Sequence, residues 1–552
     1  MDYKTIKENA EERKDLTDRQ DADVLLRNLD VYVMKGFDGT TKVSNVINVT
    51  LNRPKTMFNF IMAALGNTTE QILVESEEKD FDPDYIKDFR RLYFAAANAK
   101  LLNQGDDEID PYLDEQSCLR GGASLRVLTQ MIDGVLVPDV ALWDYRYVNF
   151  KRGVGGLLWA SFGYGTKVKK ADVEGQEWWE KANVSFPGKE AEVVDLWTTE
   201  GNIIYLNGQT VYEQEHQYQW VDGTRYVPVV IRGVSLGSML SDTGDLKHQN
   251  ESVFFLIREA MPEIQRLVSI VQTQAFNTIK PPISVRRVEG TTIEQDELPP
   301  YETEMASGAI TNADVRIITQ ADANRAAMMA MERMDLNMRE AGFIPRQLDP
   351  PQSGIALIIE KEGQDIIQLP RLRLKGTMKT AVGDMATAQV EQIGGSVEIG
   401  TPGHKRTFDT GKLVGQYEVT HKFRVKSLAN DAGLASLAAA YGDDISDHYK
   451  LRDVYQLDDP DGEERWKSYE AAGRLSPLVN LRRIAKDLIE LEEDEEAALV
   501  IDEAGVTLDQ LLAGTAATPS PEKKKEATQV LNLWGGGAGR QGSQRPPQEE
   551  VK

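Results

Sequence analysis

Residues 193–231 read VVDLWTTEGNIIYLNGQTVYEQEHQYQWVDGTRYVPVVI, and their texture decides the fold class. β-Branched and aromatic residues crowd between turn signals at Glu200-Gly201, Asn207-Gly208 and Asp222-Gly223. Asn-Gly is the strongest signal, because a two-residue hairpin turn of the favoured hand needs positive φ at both positions. Three such turns predict an antiparallel meander, within a strand-rich region from about 138 to 232.

Helical patterns lie on both sides of it. Upstream, Pro54 opens a helix that Gly66-Asn67 closes. A second helix follows Asp82-Pro83, with Ile86, Phe89, Leu92, Ala96 and Ala99 on one face. A third is expected over 112–131, across Gly121-Gly122. Downstream, Ile257, Met261, Ile264, Val268, Val271 and Ala275 recur at helical spacing and predict a long helix within 251–280. Pro262 should kink it or start its second half, and Pro281-Pro282 ends it.

Next come ISVRRVEG and, further on, ADVRIIT, which read as extended or loop-like. A second long helix over 320–341 carries Met328, Met331, Met334 and Met338, either an adaptable contact stripe or ordinary packing. Gly342 fits its C-cap. FIPRQLDPPQS, 343–353, holds three prolines and cannot be helical. Helix resumes from Gly354 to about Ile393, bent at Pro370. Strands are expected over 396–427, then helices from 428. The tail after about 515 is too polar to bury a core and is expected to be disordered.

Composition narrows the function. The chain has 552 residues and a net charge of −25, so wrapping nucleic acid by phosphate neutralisation is not expected of it as a whole. One cysteine, Cys118, excludes an intrachain disulfide and a multi-thiolate zinc site. The charged N-terminus does not read as a secretory signal, and no apolar run is long enough to span a bilayer.

Catalytic motifs fail on context. The five histidines, His216, His248, His404, His421 and His448, form no metal-ligating pair in sequence. Gly537, Gly539 and Gly542 make a GxGxxG string with no strand before it and no helix after. No phosphate-binding loop of the GxxxxGK[ST] type occurs. DDPDGEE, 458–464, lacks the alternating ligands of a calcium loop and reads as a helix-connecting turn. Neither a catalytic nor a metal or cofactor site is therefore expected.

The order of elements resembles that of the portal proteins of tailed bacteriophages, over roughly 50–510. Three stretches carry the resemblance. HQYQWVDGTRYVPVVIRGV (216–234) leading to HQNESVFFLIREAMPEIQRLVSIVQTQAFNTIKPP (248–282) is similar to a wing sheet entering a first stem helix. The 320–341 helix, a break, and SGIALIIEKEGQDII (353–367) resemble a second stem helix, tunnel loop and wing helix. YGDDISDHYKLRDVYQLDDPDGEERW (441–466) resembles a helical C-terminal segment.

The resemblance implies an α+β, portal-like fold: an α/β wing, two long stem helices bracketing a small β-containing clip, and a helical crown. Its boundaries here would be wing 1–250, first stem helix 251–282, clip 283–318, second stem helix 319–342 and tunnel loop 343–353. Wing helix and strands would follow over 354–427, then crown 428–514 and tail 515–552. It implies a twelve-fold homo-oligomeric ring at one capsid vertex of the virion, assembled in the host cytoplasm. Double-stranded DNA would pass through without sequence-specific binding. The implied partners are the terminase large subunit, a head–tail adaptor and the major capsid protein, and no membrane. Arg286, Arg287, Asp296 and Glu297 would be docking candidates in the clip. Arg346, Gln347 and Asp349 would be DNA-facing candidates in the tunnel loop, with Arg346 equally able to pair with Asp349. Two alternatives stay open: another virion component such as an adaptor or coat protein, or a soluble enzyme built on carboxylates.

Overall fold

The computed structural model describes residues 2–36, 38–76, 81–132, 134–182, 184–234, 250–255, 257–279, 283–287, 313–317, 328–329, 332–333, 354–425, 428–442, 445–451, 463, 467–468 and 470–471. The architecture is mixed helix and sheet. The chain divides into two compact units, Met1–Gly433 and Leu434–Lys552.

Helices α1 (Tyr3–Glu12) and α2 (Lys14–Asn28) open the first unit. Ile6 of α1 is buried against Trp159, Val194, Leu196 and Tyr205. Helix α3 (Arg53–Gly66) starts on Pro54, as its sequence implies, and strand β1 (Thr68–Ser76) follows. Helix α4 (Pro83–Gln104) is capped by the Asp82 side chain, which accepts from the Asp84 and Tyr85 amides. It buries Ile86, Phe89, Tyr93, Ala97 and Leu101.

The helix expected over 112–131 is the main correction. Helix α5 spans Ile109–Leu119, and strand β2 covers Gly122–Ile132. Gly121 has φ +67, and a Cβ there would lie 1.8 Å from the Asn250 carbonyl oxygen, so chain direction changes at this glycine. Beyond it, Ala123, Leu125 and Val127 enter the core on alternate positions, and period two prevails over the helical reading.

Strands β3 (Val135–Trp143), β4 (Val148–Gly153), β5 (Gly156–Phe162), β6 (Val193–Thr198), β7 (Gly201–Leu206), β8 (Gln209–Glu215) and β9 (Val229–Gly233) follow. The meander forms over its first two turns, while the strand after Asp222-Gly223, β9, pairs with β2 in the other sheet. The meander's antiparallel sheet has the order β8-β7-β6-β5-β4, and Asn207 and Gly208 turn with φ 48 and 79 between the Leu206–Gln209 pair.

Helix α6 spans Ala260–Ile279, a later start than 251. Pro262 lies in its first turn, where a missing N–H costs no helical bond, so it opens the helix. Residues 252–255 and 257–259 include turns, braced by the Phe254 amide donating to Ser252 Oγ at 3.0 Å. Strands β10 (Ile283–Arg287) and β11 (Ala313–Ile317) come next. Helix α7 spans Gly354–Ile393 and runs through Pro370. Strands β12 (Ser396–Thr401), β13 (His404–Asp409) and β14 (Tyr417–Val425) complete the unit's sheets.

The second five-stranded sheet has the order β9-β2-β3-β12-β13, and β1 pairs with β14. Helices α4 and α7 cover this sheet, with Phe89, Tyr93, Met378, Val382, Val397 and Phe408 in one core. A second core joins α3, α5, α6 and α7 through Phe58, Ile61, Leu119, Phe254, Ile264 and Leu372. Gly376 lets α7 approach β14, since a Cβ there would sit 2.2 Å from the His421 carbonyl oxygen. Helix α8 (Leu428–Tyr441) carries the chain into the second unit and ends at Gly442, whose φ is 53. No helix among the described residues is long and apolar enough to cross a membrane.

Candidate functional site

The route from the meander to the β10–β11 ladder is built from one charged anchor and one long helix. Asp23, 1% exposed in its side chain, accepts from Arg258 Nε at 2.7 Å and from Ser252 Oγ at 2.7 Å. Glu251 receives Arg258 at 3.0 Å and also pairs with Arg19. Burial opposes the Arg258 charge, but Asp23 and Glu251 prevail and raise its pKa. Helix α2 thereby holds the entry to α6. The chain segment before α3 is fixed along α6 as well: the Val49 and Ile47 amides donate to Ser269 Oγ at 2.9 Å and Thr273 Oγ1 at 3.0 Å.

Beyond α6, β10 and β11 pair antiparallel from Ile283–Ile317 to Arg287–Ala313. Residues 288–312, which join the two strands in sequence, lie outside the described residues. Arg286 stands opposite Asp314 and Arg287 opposite Ala313. Asp296, Glu297, Arg346, Gln347 and Asp349 lie outside the described residues, as do Met331, Met334 and Met338. Met328 and Met329 are on helical backbone and are 51% and 62% exposed.

A second concentration of charge was invisible in the sequence as a site. Arg371, Lys375 and Lys379 recur every four residues along α7 and are all buried. Lys375 meets Asp114 at 2.9 Å, and Lys379 meets Glu70 at 2.7 Å and Asp110 at 3.2 Å. His421 Nδ1 and Glu70 Oε1 are 2.7 Å apart. Burial works against the Glu70 charge, yet His421 and Lys379 hold its pKa down to about 2. Burial lowers the His421 pKa. Burial also pushes Asp114 up to about 6 against the pull of Lys375. This belt fastens α7 to α5, β1 and β14. The four-residue cation spacing in a largely apolar helix was the available signal.

Nothing in these groups is arranged for covalent chemistry. Cys118 is fully buried beside Arg371, and burial pushes its thiol up to about 12, away from the thiolate a nucleophile needs. His216 faces the Thr198 carbonyl oxygen at 2.8 Å. Among the described residues, no three His, Cys, Asp or Glu side chains could hold a metal ion.

No known family pattern matches this chain, and no curated protein matches its sequence.

Proposed function

We propose that this chain is a portal-type subunit, one of twelve in a ring whose axis conducts double-stranded DNA into and out of a capsid. The observation that supports the reading is the path of the chain through α6. A 20-residue helix precedes β10, β11 pairs with it antiparallel, and the next described residues, 328–329 and 332–333, are helical. A stem helix, a clip closed at its base by two strands, and a second stem helix would have this order.

The chemistry fits a conduit. Twelve copies at −25 give about −300 before counterions. A wall of that sign keeps a polyanion centred by screened repulsion over about 10 Å, where a basic wall would release counterions and grip it. Reading no base sequence, the bore needs no recognition helix. The clip would carry the terminase and adaptor contacts, with Arg286, Arg287, Asp296 and Glu297 as candidates. The 343–353 segment would face the DNA.

Negative-stain images and sedimentation of the purified chain test this. Rings with a central hole are the expected result. A monomer or dimer under every assembly condition overturns the reading.

A further inference from the structure

The meander sheet and the second sheet do not close on each other along their whole width. Between them lies a cleft of about 970 Å³, walled on its outer side by residues 166–178. Its deep end joins an apolar core through Leu128, Trp143 and Trp197. Two packed sheets ordinarily present apolar side chains from both inner faces. Here polar side chains share the lining with apolar ones: Arg126 and Gln130 on β2, Asp139 on β3, Asp195 on β6, Asn202 on β7 and Gln214 on β8. Six polar side chains converging from five strands form a built surface, with volume and polar placement suited to a ligand.

The polar groups are held in place. Asp139 receives Arg126 at 2.8 Å and Lys100 at 2.6 Å. Asn202 Nδ2 donates to Asp195 Oδ1 at 2.5 Å. The Arg126 guanidinium lies over the Trp197 ring, 5.8 Å from its centroid. Arg126 Nε is enclosed without a hydrogen bond in range, and Trp197 Nε1, equally enclosed, turns to the Asp195 carboxylate. Trp197 is 7% exposed, and its indole leans toward the Asp195 carboxylate closely enough to favour the charged form.

Elimination by chemistry narrows the occupant. An anion is repelled by five lining carboxylates, Asp106, Asp139, Asp172, Glu174 and Asp195, set against Arg126 alone. A metal ion finds no three ligands together among the described residues. An organic cation would meet the carboxylates, but it would leave the lining amide N–H donors of Gln104, Gln130, Gln176 and Gln214 without acceptors. A neutral polyhydroxylated ligand answers every group. Each hydroxyl donates to a carboxylate and accepts from an amide or N–H, and Gln104, Gln130, Gln176, Asn202 and Gln214 serve in both senses. The C–H face of a sugar ring lies flat on aromatic walls, which Phe162, Trp178, Tyr212 and Tyr218 supply.

We propose that this cleft binds a neutral oligosaccharide, an activity independent of the ring-forming role. Titration of the full chain with maltotetraose, cellotetraose and tetra-N-acetylchitotetraose, followed by tryptophan fluorescence and calorimetry, is the direct test, with a neutral glycan array as the wider screen. Saturable binding of at least one sugar is expected, at one per chain. Trp178→Ala and Gln214→Ala each lie at the cleft margin and should weaken it by roughly tenfold while leaving the melting temperature unchanged. Absence of binding to any glycan overturns the proposal. So does sugar binding that both variants leave intact, or saturable binding of spermidine with no sugar bound.

Discussion

The belt under α7 and the cleft between the sheets both place carboxylates beside cations, and they are built in opposite ways. In the belt, Lys375 and Lys379 are 3% and 4% exposed and each meets a carboxylate at 2.9 Å or less. In the cleft, Asp139 and Asp195 keep 23% and 19% of their side-chain surface, and amide side chains such as Gln130 and Gln214 line open space. Charge enclosed and matched specifies how elements fit. Charge left partly open, in a rigid frame, is available to something else.

The sharpest break of this comparison is a single cut in the belt. Lys375→Met leaves Asp114 buried without its cation, and breaking such pairs costs about 3–5 kcal/mol. Asp114→Leu alone should be similarly harmful, while the double change Lys375→Met with Asp114→Leu should recover most of the loss. Chemical denaturation of the three variants measures this. Single variants as stable as the parent would show that the belt does not hold α7.

Legibility in the sequence follows the range of the interaction. The meander was readable because an Asn-Gly turn is decided by two residues, and Asn207 and Gly208 adopt the positive φ that only such residues take easily. Helix α4 was readable from its Asp-Pro start for the same reason. Strand β2 was missed because Leu125 and Val127 register only as alternation, and Gly121-Gly122 was taken as an interruption in a helix. Helices α1 and α2 were not resolved as separate elements, since α2 buries Gln20 and Asp23 alongside Leu16 and shows little amphipathic pattern. The belt joins residues 261 and 309 positions apart, which no local pattern announces. The cleft draws on residues of five strands, and its polar inner positions acquire meaning only when the two sheets face each other. For the β10–β11 ladder, the extended character of 283–287 and 313–317 was legible, and their register was not.

A pH series gives a smaller, signed test of the belt. Asp114 has its pKa raised by burial from 3.8 to about 6. A raised carboxyl binds its proton more tightly in the folded state, so its contribution is complete below 3.8 and is lost as pH rises through 6. Glu70 runs the other way: its contribution is present above 4.5 and disappears as pH falls toward 2. Asp114→Asn removes only the first of these. The stability of the parent relative to this variant should therefore fall between pH 4 and 6, as read from urea midpoints at each pH. A flat difference would place Asp114 in ordinary titration, outside the belt.

The smallest effect on stability is expected in the cleft, and there its smallness is informative. Asp195→Asn removes a charge that burial already disfavours, as the raised pKa of Asp195 shows. It keeps an oxygen able to accept from Asn202, and it gives up a distant contact with Arg126, at 3.8 Å, and part of the pull from the Trp197 indole. These terms oppose one another, so unfolding free energy should change by less than about 1 kcal/mol. Sugar affinity should still drop, because the amide keeps one acceptor oxygen, already engaged by Asn202, where the carboxylate has two and a charge. A carboxylate that folding can spare and a ligand cannot is what separates this cleft from the belt. If Asp195→Asn instead unfolds the chain as Lys375→Met should, the cleft is a second piece of the frame, and the contrast drawn between the two regions fails.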